Sequence, residues 1–367
     1  MAITEKDIIK ALSTVEDPDL KKDLISLNMV KDIEIDGNRV AFTVVLTTPA
    51  CPLKELIKNN CIEAVHKLVS PDLELDVHMT ADVTSIQPKG PVLSGVKNVI
   101  AISSGKGGVG KSTVTANLAL ALSEAGAKVG VLDADIYGPS VPTMFNCENA
   151  QPGVTSVNGK NTIIPIEQYG IKLLSIGFLA PPQDAVVWRG PMASSALRQF
   201  ITDTDWGELD YLLIDLPPGT GDIHLSLVQT ASVTGAVVVT TPQKVALSDA
   251  MKGMNMFTSK SVNVPILGLV ENMAYFTPAE LPENKYYIFG QDGGKNMARR
   301  YEVPFIGEIP IVQSIREGGD CGVPVVMEDG NPAGDAFREI AKELARNVAM
   351  RNAQVASTER VEIKTWE

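Results

Sequence analysis

Residues Gly105-Lys106-Gly107-Gly108-Val109-Gly110-Lys111-Ser112 match G-x-x-x-x-G-K-[ST] in full. The context fits the motif. An apolar run, VKNVIAIS, precedes it, and a helical pattern, STVTANLALALSEAG, follows it. Strand, glycine loop and helix in that order build an anion cradle. The glycines let the backbone wrap around phosphates with successive N–H groups pointing inward. The helix over 112–125 aims its positive end at the same charge. Lys111 is placed to reach β- and γ-phosphates, Thr113 follows in the first turn, and the Ser112 hydroxyl is placed to ligate Mg²⁺. The ligand expected is therefore ATP with Mg²⁺.

The surrounding pattern is that of a mostly parallel sheet flanked by helices. From Val96 onward, strand-like runs alternate with helical segments: VIAISS, KVGVLDA, YLLIDL, AVVVTT, ILGLVEN and FIGEI. Two of these runs end on carboxylates beside the loop. Tyr211-Leu212-Leu213-Ile214-Asp215 is an apolar strand ending in an acid, the Walker B arrangement, so Asp215 is expected to bear on Mg²⁺. Asp133-Ala134-Asp135 closes KVGVL, and a carboxylate there can position an attacking water or hold Mg²⁺ through water. The loop Pro217–Asp222 (PPGTGD) reads as a γ-phosphate sensor that moves on hydrolysis. Asn272 ends ILGLVEN. Its amide can pair with donor and acceptor on the adenine edge, or simply form a turn. The last helix, from about 331 to 351, places Phe337, Ile340, Leu344 and Val348 on one face, expected to pack on the sheet.

Ahead of this lies a different kind of segment. Residues 1–85 hold 9 Lys and Arg against 15 Asp and Glu, half of the chain's net charge of −12. Helix, strand hairpin, helix and strand follow one another over 4–14, 29–35, 39–46, 52–68 and 73–79, with Asp36-Gly37-Asn38 as the hairpin turn. The expected organisation is a small α+β domain at 1–84, a proline-containing linker at 85–95, an ATPase domain at 96–352 and a polar tail at 353–367. Acidity disfavours nucleic acid and anionic lipid. No run of 18 apolar residues predicts a membrane span, and no apolar signal core opens the chain. Four cysteines in 367 residues do not make a disulfide framework, and a cytoplasmic, reducing location is expected.

The loop with its second lysine, DADIYGPS, WRGPM, DYLLIDLPPGTGD, ENMAYF and REGGDCGVPVV together resemble the Mrp/ApbC family of iron–sulfur cluster carrier ATPases, relatives of the ParA/MinD deviant P-loop class. DPDL, DLISLNMV and TTPACP resemble the small domain found ahead of such ATPases and in other iron–sulfur assembly factors. The resemblance implies slow ATP hydrolysis by a homodimer that accepts a cluster and passes it to apo iron–sulfur proteins, alongside cluster assembly factors. It implies that Lys106 reaches the partner's nucleotide, that Asp135 positions water with Asp133 in support, and that Asn272 reads adenine. Arg189 has a dimer-contact or switch role as one option and a structural role as another.

One departure stands out. The family usually carries Cys-x-x-Cys just after the ENM segment, yet 274–290 contains no cysteine. Thiolates are the ligands that iron–sulfur clusters need. Cys51, in Thr48-Pro49-Ala50-Cys51-Pro52 at an expected helix start, becomes the candidate ligand, with its thiol pKa expected to be lowered by the helix N-terminus. Its alternative is a small buried cap. Cys61 reads as core, and Cys147 and Cys321 as incidental. Two rival functions stay open: a nucleotide-gated scaffold that holds no cluster, and a ParA/MinD-like positioning ATPase.

Overall fold

The computed structural model describes residues 3–87, 92–157, 159–178, 190–278, 280–281, 283–358 and 360. Trp188 and Arg189 lie outside the described residues, as do Pro88–Pro91 of the expected linker. The chain forms two compact units. The first comprises 1–84 with 345–355, the second 85–344 with 356–367.

In the first unit, helix α1 (Glu5–Leu12) opens with a capping box in which the Asp7 carboxylate accepts from the Thr4 N–H. Strands β1 (Val30–Asp36) and β2 (Arg39–Leu46) form the expected antiparallel hairpin. Strand β3 (Glu74–Ala81) returns parallel to β2 by way of α2 (Lys54–Leu68), as a crossover helix requires. Alternate β2 residues Val40, Phe42, Val44 and Leu46 point inward, where they meet Ile8, Leu12, Ile57, Cys61 and Val65. That one-sided burial explains the period-2 pattern of β2.

The second unit is built on an eight-stranded sheet among the described residues. Its strands are β4 (Val96–Ser104), β5 (Val129–Asp133), β6 (Ile166–Gln168), β7 (Ile171–Ser175), β8 (Leu209–Asp215), β9 (Gly235–Thr240), β10 (Ile266–Glu271) and β11 (Phe305–Glu308). The order is β6-β7-β5-β8-β4-β9-β10-β11, parallel except for the edge pair β6-β7. Central strands are buried on both faces, which is why they read as continuous apolar runs. The P-loop leaves β4 at the middle of the sheet, and β5 and β8 carry their carboxylates to the same edge. Helix α3 (Lys111–Glu124) buries ten of its residues, Lys111 and Val114 to Leu122.

Two boundaries differ from the sequence reading. Ser85 and Gln87, expected in a linker, are fastened to the second unit: the Ser85 hydroxyl donates to the Lys97 carbonyl, and the Gln87 amide to the Ser232 carbonyl at 2.7 Å. The final helix α4 (Pro332–Gln354) was expected to lie wholly in the ATPase domain ending at 352. Its residues 345–355 belong instead to the first unit. The reason is specific bonding. Arg346 forks onto both carboxylate oxygens of Asp19, and Asn352 donates to the Thr84 carbonyl at 2.9 Å.

Candidate nucleotide site and candidate thiols

The loop geometry depends on glycine at defined places. A side chain at Gly105 would run into the backbone of Asp249 and Ala250 in the helix Lys244–Thr258. Gly110 stands at φ +81°, and a side chain there would strike the Asn272 amide. The loop is thus pinned on one side and seated on Asn272 on the other. Gly107, Gly108 and Val109 complete the turn, with Gly108 also left-handed at φ +79°. The Ser104 hydroxyl donates to the Lys106 carbonyl at 3.0 Å, and the Lys106 side chain is half-buried.

Five polar side chains converge below the loop. Lys111 Nζ donates to Asp215 Oδ2 at 2.8 Å and lies 3.6 Å from Asp135 Oδ2. The Ser112 hydroxyl donates to the same Asp215 Oδ2 at 2.5 Å. The Thr115 hydroxyl lies 2.7 Å from Asp215 Oδ1. Lys111 is only 6% exposed and Asp215 fully buried, so a full positive and a full negative charge face each other out of water. Sequence reading named Lys111, Ser112, Asp135 and Asp215. It missed Thr115, a threonine one turn along an otherwise apolar helix face.

Asp133 sits behind this group. Its oxygens accept from the Ser175 hydroxyl at 2.9 Å, the Asp135 N–H at 3.1 Å and the Val141 N–H at 3.4 Å. Burial pushes its carboxyl well above the usual range, with the Asp215 charge on the neighbouring strand adding to the effect. These three donors tie Asp133 to the loop that carries Asp135. Asp135 is itself raised, by burial first, opposed by Lys111.

Beyond Gly110 and Thr113 opens an apolar cavity of about 770 Å³, walled by Met273, Ile311, Val312 and Ile315 among others. Asn272 forms part of its wall. Its Nδ2 donates to the Val109 carbonyl at 2.8 Å, and its Oδ1 accepts from the Met273 N–H at 2.9 Å. A primary amide carries two donors and two lone pairs. One of each therefore remains on Asn272, which couples the cavity wall to the P-loop.

The loop ahead of it leads into the helix Asp222–Thr230, where His224 is fully buried and neither ring nitrogen has a hydrogen-bond partner. Burial, reinforced by the Lys111 charge, pushes its pKa down to about 4, against a weaker pull from the Gly221 carbonyl.

The thiols depart from expectation. Helix α2 begins at Lys54 with Leu53 as its cap, so Cys51 lies ahead of the helix rather than at its first turn. Burial raises the Cys51 pKa, and Asp17 and Asp19 add to it, outweighing the Leu53 backbone and Arg346, which pull downward. The lowered pKa expected from the helix N-terminus is thus corrected. Cys61 is fully buried in the core with its thiol pushed up to about 12, and Cys147 is raised to about 11. Cys321 is exposed. No group of three or more Cys, His, Asp or Glu side chains is arranged to hold a metal ion among the described residues. Nor is any described helix long and apolar enough to cross a membrane.

A P-loop on a parallel sheet, with a Walker B carboxylate on its lysine and serine, defines the second unit as a nucleotide-binding P-loop NTPase. The chain belongs to the family described as NUBPL iron-transfer P-loop NTPase, matched over residues 95–345, and residues 5–72 match the iron–sulfur cluster assembly protein family. It is 47% identical over 352 residues to an iron–sulfur cluster carrier protein of Synechocystis, covering 95% of this chain and 99% of that one. The carrier protein of Aquifex aeolicus is 44% identical over 367 residues, covering 94% and 98%. A nucleotide-binding protein of Archaeoglobus fulgidus, solved in complex with ADP, shares 40% identity at a TM-score of 0.56. That match covers 66% of this chain and 91% of the other.

Proposed function

We propose that this protein is an ATP-hydrolysing carrier that receives iron–sulfur clusters and passes them to apoproteins. The observation that carries the nucleotide half is the convergence of Lys111 and Ser112 on Asp215, at 2.8 and 2.5 Å, with Asp135 3.6 Å from the same Lys111. Loop N–H groups and Lys111 take the phosphates, and Lys111 exchanges its carboxylate partner for the β- and γ-oxygens. Asn272 keeps one donor and one acceptor for the adenine edge, with the apolar cavity covering the base. Ser112 and Asp215 present hard oxygen ligands that suit Mg²⁺, which would neutralise charge on the phosphate oxygens. Asp135 orients the attacking water, and Asp133 holds the Asp135 loop in place. Lys106, not needed in its own site, serves the partner's nucleotide in a homodimer.

The cluster is cargo, and the carrier reading rests on the family and on the assembly-type first unit. Cys51 is the ligand proposed. One such thiolate per protomer gives two per dimer, so a cluster with four cysteine ligands draws the others from a client protein or a small thiol. The cysteine-free 274–290 segment and the raised Cys51 pKa favour a second reading, a nucleotide-gated scaffold that never holds the cluster. Anaerobic reconstitution of the full chain with iron and sulfide separates the two. The carrier reading expects bound iron that is lost in Cys51→Ser and transferred to an apo-ferredoxin in the wild type. Absence of bound iron in the wild type would put the scaffold first.

A further inference from the structure

Asp215 is held by three side-chain donors, and they are not equivalent. Lys111 and Ser112 both bond Oδ2. Both are also the groups that phosphate and metal claim when nucleotide enters. Among the described side chains Thr115 alone bonds Oδ1, at 2.7 Å, the oxygen that Lys111 and Ser112 do not use. Its hydroxyl is fully buried and also lies 3.0 Å from the Lys111 carbonyl, one helical turn back. A hydroxyl has one proton. The shorter contact to a charged acceptor takes it, since charge-assisted hydrogen bonds are the stronger ones.

We propose that Thr115 is a positioning residue for magnesium: it fixes the plane of the Asp215 carboxylate in the empty and the loaded site alike, so that Oδ2 is presented to the metal when Lys111 and Ser112 turn away. Without the Oδ1 bond, the carboxylate is free to rotate about its last torsion once the nucleotide has taken the Oδ2 donors. The cost then falls on metal-dependent binding and not on phosphate binding by the loop. The proposal rests on the assignment of Ser112 and Asp215 as the metal-binding pair.

The test is ADP binding by the full-length protein, measured calorimetrically in EDTA and in saturating Mg²⁺. In Thr115→Val, which keeps the shape and removes the hydroxyl, affinity in EDTA stays within about twofold of wild type. The gain in affinity on adding Mg²⁺ falls at least about tenfold, the scale of one hydrogen bond to a charged group. Thr115→Ser restores the gain. Equal losses with and without Mg²⁺ would make Thr115 a support of the loop helix and overturn the proposal, as would an unchanged Mg²⁺ gain. Should Thr115→Val fold poorly, Thr115→Ser against Thr115→Ala gives the same comparison, with thermal melting of the empty protein as the check on folding. If wild-type affinity itself ignores Mg²⁺, the metal assignment fails, and this proposal fails with it.

Discussion

His224 offers the sharpest test of the buried P-loop electrostatics. Its pKa of about 4 in the folded chain stands against 6.5 for the free side chain. The folded state therefore keeps the ring neutral, while the unfolded state takes up a proton below pH 6.5. Stability from this group is fully present above 6.5 and is lost as pH falls toward 4. At pH 5 the unfolded ring is almost wholly protonated and the folded ring about one-tenth so. Linkage then gives a loss of about 2 kcal/mol between pH 7.5 and pH 5, approaching about 3 kcal/mol below pH 4. Asp133 and Asp135 work in the opposite sense, because their raised pKa values make the folded state bind protons more readily. The wild-type curve alone mixes these effects, so the measurement is a difference. His224→Gln removes the titrating group at similar volume. Urea denaturation of both proteins, followed by tryptophan fluorescence at pH 7.5 and pH 5, should show the wild type losing about 2 kcal/mol more than the variant. A difference below about 0.5 kcal/mol would refute the reasoning, since a ring that stays near its free pKa contributes nothing.

Lys106→Ala should retain ATP binding and lose hydrolysis; mixed with Asp135→Asn chains, activity should reappear in heterodimers only if Lys106 acts across the interface, and full activity of Lys106→Ala alone would refute its role. Gly110→Ala places a side chain at φ +81° against the Asn272 amide. It should cost at least about tenfold in ATP affinity by calorimetry, and a wild-type affinity would contradict the seating of the loop on Asn272. Cys51 should alkylate slowly at pH 7 relative to exposed Cys321, and its rate should still be rising with pH where an ordinary thiol has levelled off, as read by mass spectrometry of the labelled peptides; fast labelling at pH 7 would show a thiol lowered rather than raised.

The nucleotide site was legible because its chemistry is local. Eight consecutive residues build the loop, and the apolar runs that carry Asp133 and Asp215 announce buried parallel strands without any tertiary information. What escaped was set by partners distant in sequence. The edge strands Ile166–Gln168 and Ile171–Ser175 are short and flank a Tyr169-Gly170 turn, too brief for periodicity to show. Thr115 reads as filler in an apolar helix until Asp215, a hundred positions on, is placed beside it. The division of the last helix depends on Arg346 finding Asp19, 327 residues away.

Cys51 shows most plainly why a local rule fails. A helix N-terminus decides a thiol's charge only where no stronger neighbour acts on the same sulfur. Here the helix starts three residues later, while burial and two carboxylates from the DPDL turn act on the same sulfur. The Leu53 backbone does favour the thiolate, as expected, but it is the smaller effect. A thiol in this state is a poor nucleophile at neutral pH and resists casual oxidation. In the proposed role as a ligand, metal binding would displace the proton and supply the positive charge that holds the thiolate. Asp17 and Asp19 add to the cost of a bare thiolate. On the proposed assignment of Cys51, a ligand that regains its proton readily on departure would lower the barrier to handing the cluster on.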